Sequence, residues 1–248
     1  MDVGNSYDLR ALTTRLRQLH GLSVSDQVAL ERLPLRTEMV AAGRSIVWPD
    51  QPADRCVVIL QGMTFGYKLT GGGGRQIVGI QLAGDLPDLQ SLRFGTTDTG
   101  VAAINGCHVG YIPSGALNDL CSSRPSLAAV LWRETLLQAA IVREWVLNIG
   151  RRDAQTSLGH FLCEVVMRHR IAGLTSVDRC TFPFTQSMMA DALGLSAVHV
   201  NRVFKDLRRD GLIEWEGRHL TVLDWERLAR VSDFDPAYLQ LNRSPSTN

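Results

Sequence analysis

Residues 185–222 read TQSMMADALGLSAVHVNRVFKDLRRDGLIEWEGRHLTV. The spacing predicts two short helices joined by a tight turn, then a small β-hairpin. Thr185 stands where an N-cap hydroxyl is needed, ahead of a first helix with Met188, Met189, Ala192 and Leu193 turned inward. Gly194 can take the positive φ of a sharp reversal without a Cβ penalty. Ser196 is the next cap, and Val200, Val203, Phe204 and Leu207 follow at helical spacing as a buried face. Gly211 closes the second helix after the cationic turn of Lys205, Arg208 and Arg209. Leu212–Trp215 and His219–Val222 alternate as strands around a bend at Gly217-Arg218. That order is a winged helix-turn-helix, whose second helix enters the major groove of DNA.

A helical hairpin that merely packs would give the same apolar pattern. The outward residues of the second helix argue against it: Ala197, Val198, His199, Asn201, Arg202 and Lys205. Small side chains early in the helix let its backbone approach base edges, while Asn and Arg can read those edges or hold phosphates.

Working outward, 248 residues leave room for two modest domains, and 45% hydrophobic with 21% charged residues is ordinary for a globular chain. The net charge of +1 carries no global nucleic-acid signature, so any basic face must be local. No apolar run approaches the ~18 residues of a membrane span, and the N-terminal MDVGNSYDLR is too polar and acidic for a secretory signal. Cys56, Cys107, Cys121, Cys163 and Cys180 are odd in number, scattered and without a CxxC. They fit small buried thiols in a reducing cytoplasm better than a disulfide frame or a zinc site, and no metal site is expected.

Residues 8–33 predict two helical pieces. Leu9, Leu12, Leu16 and Leu19 form a stripe, Gly21 is a break, and Ser25 caps the second piece. From Met39 to Pro113 the period is two, with strands expected at Met39–Ala42, Ser45–Trp48, Cys56–Gln61, Thr64–Leu69, Gln76–Leu82, Val101–Ile104 and Val109–Ile112. Short strands broken by Gly, Pro and Asp suggest an antiparallel roll or barrel of the jelly-roll kind. Gly71–Gly74 lacks the Lys-Ser/Thr and helix of a phosphate loop and reads as a hairpin tip, and Gly84-Asp85 as a strand-end turn. After Pro125, Leu127, Val130, Leu131, Glu134, Leu137, Ile141, Trp145 and Asn148 trace one helical face. Leu136, Ala140, Val142, Val146 and Ile149 add apolar residues elsewhere, so this helix needs two partners: the roll and, by expectation, its copy in a second subunit. Gly150–Asp153 interrupts the pattern, and helix Ala154–Arg170 leads to an extended FPF segment. Beyond the wing, Asp224 caps a helix Trp225–Val231, Phe234–Leu241 packs back, and Ser244–Asn248 reads as a disordered tail. The expected architecture is α+β: an N-terminal β-roll over 1–124, a dimerisation helix over 125–150 and a winged helix-turn-helix over 151–248.

The order roll, long helix and winged helix resembles the Crp/Fnr regulators. The resemblance spans roughly Leu16 to Val231 and is carried most specifically by MADALGLSAVHVNRVFKDLRRDGLI and EWEGRHLTVLD, with support from GMTFGYKL, RQIVGIQLAGDLPDL and LWRETLLQAAIVREWVLNIGRRDA. It implies a cytoplasmic, homodimeric transcription factor with an effector-sensing roll, acting on double-stranded DNA with RNA polymerase as partner. Position by position, Ser196 matches a phosphate-holding residue and Arg202 the arginine that reaches a guanine. Ala197 and Val198 fall where relatives place base readers; this apolar pair suits a thymine methyl or no base contact at all. Asn201 and His199 flank Arg202, with Asn201 grouped with the base readers and His199, like Lys205, with the backbone contacts. Thr185, Gln186 and Ser187 open the first helix where relatives touch phosphate, and Arg218 matches a basic wing residue.

The sensing half departs from the pattern. Cyclic-nucleotide binders of the family carry a Gly-Glu pair and, about ten residues on, an Arg-Ser/Thr that offsets the desolvation of the cyclic phosphate. Here Gly84-Asp85 replaces the pair, and Thr96-Thr97-Asp98-Thr99 stands where the arginine belongs. No cyclic-AMP response is expected. Asp85, Asp88, Gln90, Ser91 and Arg93 are the candidate lining of whatever effector pocket exists. An iron–sulfur cluster would need a cysteine group with cluster spacing, haem would fall to His108, Cys107 or His20, and none of these is expected. Cys180, beside Arg179, is the thiol to test for a lowered pKa.

Two other function classes compete with a DNA-binding regulator. An enzyme is disfavoured by the lack of GxSxG, HExxH, a phosphate loop or a convincing carboxylate pair, so no catalytic residue is named. A ligand-binding or interaction module, its winged domain contacting protein, is the alternative that the near-zero net charge favours.

Overall fold

The computed structural model describes residues 8–175 and 178–240; the tail expected at 244–248 lies outside them. In chain order the elements are α1 (Arg10–His20), α2 (Val24–Glu31), β1 (Arg36–Val40), β2 (Ser45–Val47), β3 (Arg55–Gln61), β4 (Thr64–Leu69), β5 (Arg75–Gln81), α3 (Ser91–Phe94), β6 (Gly100–Ala103) and β7 (Cys107–Pro113). There follow α4 (Ser114–Ser123), α5 (Pro125–Gly150), α6 (Ala154–Ile171), β8 (Arg179–Thr181), α7 (Gln186–Leu193), α8 (Ala197–Arg209), β9 (Ile213–Glu216), β10 (His219–Val222), α9 (Trp225–Val231) and a 3-10 turn, Pro236–Leu239. The chain forms two compact units. Among the described residues, one holds those up to Gly66 and Ile80–Leu136; the other holds Tyr67–Gly79 and those from Leu137 to Gln240.

The N-terminal sheets run β1-β7-β3 and β2-β6-β4-β5. β7 pairs antiparallel with both β1 and β3, placing Val109 opposite Glu38 and Ile59. β3 is buried from Cys56 to Leu60 on both faces, which is why RCVVILQ is a continuous apolar run and not an alternation. Val57 and Ile59 join Val109 and Tyr111 on one side. Cys56, Val58 and Leu60 meet the α1 stripe of Leu9, Leu12 and Leu16 and the first turns of α5 on the other. Gly84, at φ +92°, lies so close to α1 that a Cβ there would come 2.7 Å from the Ala11 carbonyl oxygen.

All seven expected strands are present, each displaced by no more than three residues at an end. Three local expectations are corrected. The cap of α2 is Ser23, whose Oγ accepts from Asp26 N at 3.1 Å, because the helix starts two residues before the expected Ser25 cap would allow. Ser114–Ser123 is a helix of its own ahead of α5, with Leu117 and Cys121 as its buried anchors. Arg179–Thr181, just ahead of the extended FPF segment, is a strand, β8, the third of the wing sheet β8-β10-β9. Gly71–Gly74 is the tip of the β4–β5 hairpin, closed by Thr70 N to Gly74 O at 2.8 Å and Gly74 N to Thr70 Oγ1 at 3.0 Å.

In the second unit, Phe161, Phe182, Phe184, Phe204 and Trp215 interlock, with centroid separations of 4.7 Å for Phe182–Phe184 and for Phe204–Trp215. This cluster seats α7 and α8 against α6 and the wing through edge-on and tilted ring contacts. Along α5 every residue of the expected first face is buried, from Leu127 to Asn148, Glu134 and Asn148 included.

Candidate nucleic-acid interface

The reading head is built from its caps outward. Thr185 Oγ1 accepts from Met188 N at 3.1 Å and Ser196 Oγ from His199 N at 3.2 Å, which satisfies an orphan amide at the start of each helix. Each hydroxyl keeps its own proton to donate. Gly194 at φ +65° makes the turn between the helices, and Gly211 at φ +69° ends the second. Val200, Val203, Phe204 and Leu207 are buried, so the helix register is locked and its other face is committed to solvent.

That outer face gathers the expected residues. Gln186 of α7 and Ala197, Val198, Asn201, Arg202 and Lys205 of α8 line one depression of about 390 Å³. Val198 is 81% exposed, an apolar side chain kept in water with no packing reason. Ser187, Ser196 and His199 are exposed. Arg218 projects at the wing bend after Gly217 (φ +59°), its carbonyl held by Phe182 N at 2.7 Å. Acid side chains on α8 are confined to Asp206, which is paired with Arg209 at 2.8 Å. The local charge of the face is therefore positive although the chain total is +1.

The candidate effector residues are dispersed. Asp85 is buried, accepting from Leu82 N at 2.8 Å and pairing with Arg15 Nε at 2.7 Å. Asp88 Oδ1 accepts from Val57 N at 2.8 Å and from the Cys56 thiol at 3.3 Å; burial raises its pKa to about 6 against those hydrogen bonds. Ser91 is buried, and Gln90 donates to Thr97 Oγ1 at 2.6 Å. Gln90 and Arg93 do line a cavity of about 670 Å³, walled by Phe94, Cys121 and Trp132 among others. Cys180 is buried, and burial pushes its thiol up to about 12, away from a reactive thiolate.

Sequence reasoning missed one buried ionic cluster. Arg15 on α1 forks onto Glu134 of α5 (Nη1–Oε2 2.7 Å, Nη2–Oε1 3.0 Å), and His20 Nε2 lies 2.9 Å from the same carboxylate. Burial alone would lower the Arg15 pKa; Asp85 and then Glu134 more than offset it and raise it. The available signal was a glutamate among the apolar residues of a buried helical face.

A helix-turn-helix with a solvent-committed, cationic second helix and a β-wing defines a DNA-binding transcriptional regulator. The comparisons agree. Residues 157–231 match the Crp-like helix-turn-helix domain. The transcriptional activator protein FnrL of Cereibacter sphaeroides is 30% identical over 201 residues, 78% of this chain and 79% of that protein. The nitrogen fixation regulation protein FixK of Azorhizobium caulinodans is 28% identical over 77% of each chain. Among solved structures, FixK2 from Bradyrhizobium japonicum superposes with a TM-score of 0.71 at 23% identity, covering 80% of this chain and 98% of that one. The chain belongs to the Crp/Fnr family of transcriptional regulators. No helix among the described residues is long and apolar enough to cross a membrane.

Proposed function

We propose that the protein acts as a cytoplasmic homodimer on a two-fold symmetric operator, with α5 as the seam between subunits. The supporting observation is the second apolar face of α5. Trp132, Leu136, Val142, Val146 and Ile149 are all exposed on a helix whose opposite face is fully used. A copy of the same face covers it most economically, because a two-fold interface is self-complementary. Two heads then meet DNA half-sites about one helical turn, ~34 Å, apart.

Within each head, Ala197, Val198, Asn201 and Arg202 face the bases, with Arg202 on a guanine. Thr185, Gln186, Ser187, Ser196, His199, Lys205 and Arg218 hold the phosphate backbone. The cap hydroxyls of Thr185 and Ser196 suit this role, since each accepts from its helix and can still donate outward. RNA polymerase is the partner at the promoter, as expected of activators such as those named among the relatives. The protein is not an enzyme in this reading. In this reading its regulation does not run through cyclic AMP, an iron–sulfur cluster or haem; what supports the first exclusion is that Asp85 is already paired with Arg15 and Asp88 is held by Val57 N and the Cys56 thiol.

Footprinting on the DNA upstream of the protein's own gene tests this, with Arg202→Ala beside the unaltered protein. The expected outcome is a symmetric footprint, and a loss of about 1–3 kcal/mol in Arg202→Ala confined to operators that keep the guanine. A variant that keeps the original sequence preference removes Arg202 from base reading.

A further inference from the structure

Between α5 and α6 the chain turns through Arg151, Arg152 and Asp153, and the segment that follows α9 returns to this turn. The Arg152 guanidinium is nearly buried. Nη1 reaches back to α5, to Glu144 Oε1 at 2.7 Å and Asn148 Oδ1 at 2.8 Å. Nε and Nη2 reach forward to Asp233 Oδ2 at 3.1 and 3.0 Å, and Nη2 also to the Asp233 carbonyl at 3.2 Å. One cation thus joins the last turns of α5 to the strand of chain that leaves the head.

A second junction lies one layer deeper. Glu164 of α6 is wholly buried and accepts from Trp145 Nε1 of α5 at 3.0 and 3.2 Å and from the Tyr238 hydroxyl at 2.8 Å. Phe234 and Tyr238 flank His160 of α6 at centroid distances of 5.1 and 5.8 Å. Gly159 permits the approach: a Cβ there would lie 3.0 Å from Ser232 Cβ and 2.0 Å from its Oγ. Trp145 alone of these groups touches the aromatic core that holds α7, α8 and the wing together, edge-on to Phe161 at a centroid distance of 5.7 Å. Hydrogen bonds to buried charged groups are the costly ones to lose, because the group left behind stays desolvated.

We propose that Arg152, Asp233, Glu164 and Tyr238 are positioning residues for DNA reading: they set the angle between α5 and the head, and with it the separation of the two recognition helices. The inference rests on the homodimer reading above. Its consequence is a regulator selective for half-site spacing, with that selectivity written into the C-terminal strap and not into the helix-turn-helix.

The test uses the full-length protein and operators whose half-sites are moved apart or together by one base pair. Tyr238→Phe removes only the hydroxyl that holds Glu164. Asp233→Ala removes the partner of Arg152, and Asp233→Asn restores an acceptor and tolerates the positive φ of 49° at that position. The unaltered protein is expected to prefer one spacing by about tenfold, roughly 1.4 kcal/mol. Tyr238→Phe and Asp233→Ala should lose most of that preference while their affinity for an isolated half-site changes less than about twofold; Asp233→Asn should keep it. A purely structural role would lower the melting temperature and bind all operators less well without changing their ranking, and that result overturns the proposal. So do folded variants with undiminished spacing preference. An unaltered protein that is monomeric, or that binds every spacing alike, overturns the dimer reading and the strap proposal together.

Discussion

At the scale of single residues, two buried charges of the N-terminal unit, Asp88 and Arg15, make opposite demands. Asp88 is an anion the fold would sooner keep neutral: desolvation raises its pKa to about 6, above the ordinary aspartate value. The folded state therefore binds a proton more readily than the unfolded one between about pH 4 and pH 6, so Asp88 lowers stability as pH rises through that window. In Asp88→Asn the amide oxygen can accept the same Val57 and Cys56 hydrogen bonds without a charge. The variant should be more stable than the unaltered protein at pH 7.5 by about 2–3 kcal/mol, with the gain vanishing near pH 4, as read from denaturant unfolding at both values. Arg15 is the converse, a cation on which two buried anions depend. Arg15→Ala should cost about 3–5 kcal/mol, because Asp85 and Glu134 would stay buried without their counter-charge. A small change in midpoint would show that water reaches the cluster and that it is not sealed.

At the scale of elements, the wing and α8 present different surfaces. α8 is amphipathic: Val200, Val203, Phe204 and Leu207 are buried, Phe204 against Phe182 and Trp215, which leaves its outer residues free of packing duty. The wing presents Arg218 beyond Gly217, at a bend held by β8 and β9 on either side of β10. A cation that meets only phosphate gives affinity without sequence information. Arg218→Ala should weaken binding equally on matched and mismatched operators and reduce the slope of log K against log salt by about 1. An unchanged slope in salt titrations would remove Arg218 from the phosphate contacts. These elements were legible in the chain because caps, glycines and helical spacing are local signals. The boundaries of α2 and the existence of α4 and β8 were less so: β8 is a three-residue strand defined by its partner β10, and α4 carries few apolar anchors of its own.

At the scale of the whole molecule, the long helix has one buried face and one exposed apolar face. Val146→Glu places a charge at the centre of the outer stripe, where a second copy would bury it. It should shift the protein from dimer to monomer in sedimentation and abolish symmetric operator binding, with little change in the fold of the monomer. A variant that stays dimeric places the seam elsewhere. The sequence by itself determined the winged helix-turn-helix, the order roll–helix–head, the two-faced nature of α5 and the departure from the cyclic-nucleotide pattern, since each depends on residues close together in the chain. Tertiary structure alone decided what Asp85, Asp88, Arg15 and Glu134 do, and how Arg152, Asp233, Glu164 and Tyr238 meet around the α5–α6 turn. Arg15 and Glu134 are 119 positions apart, and Tyr238 and Glu164 74. A buried charge is defined by the partner and the dielectric that folding brings to it, and neither is written in its sequence neighbourhood.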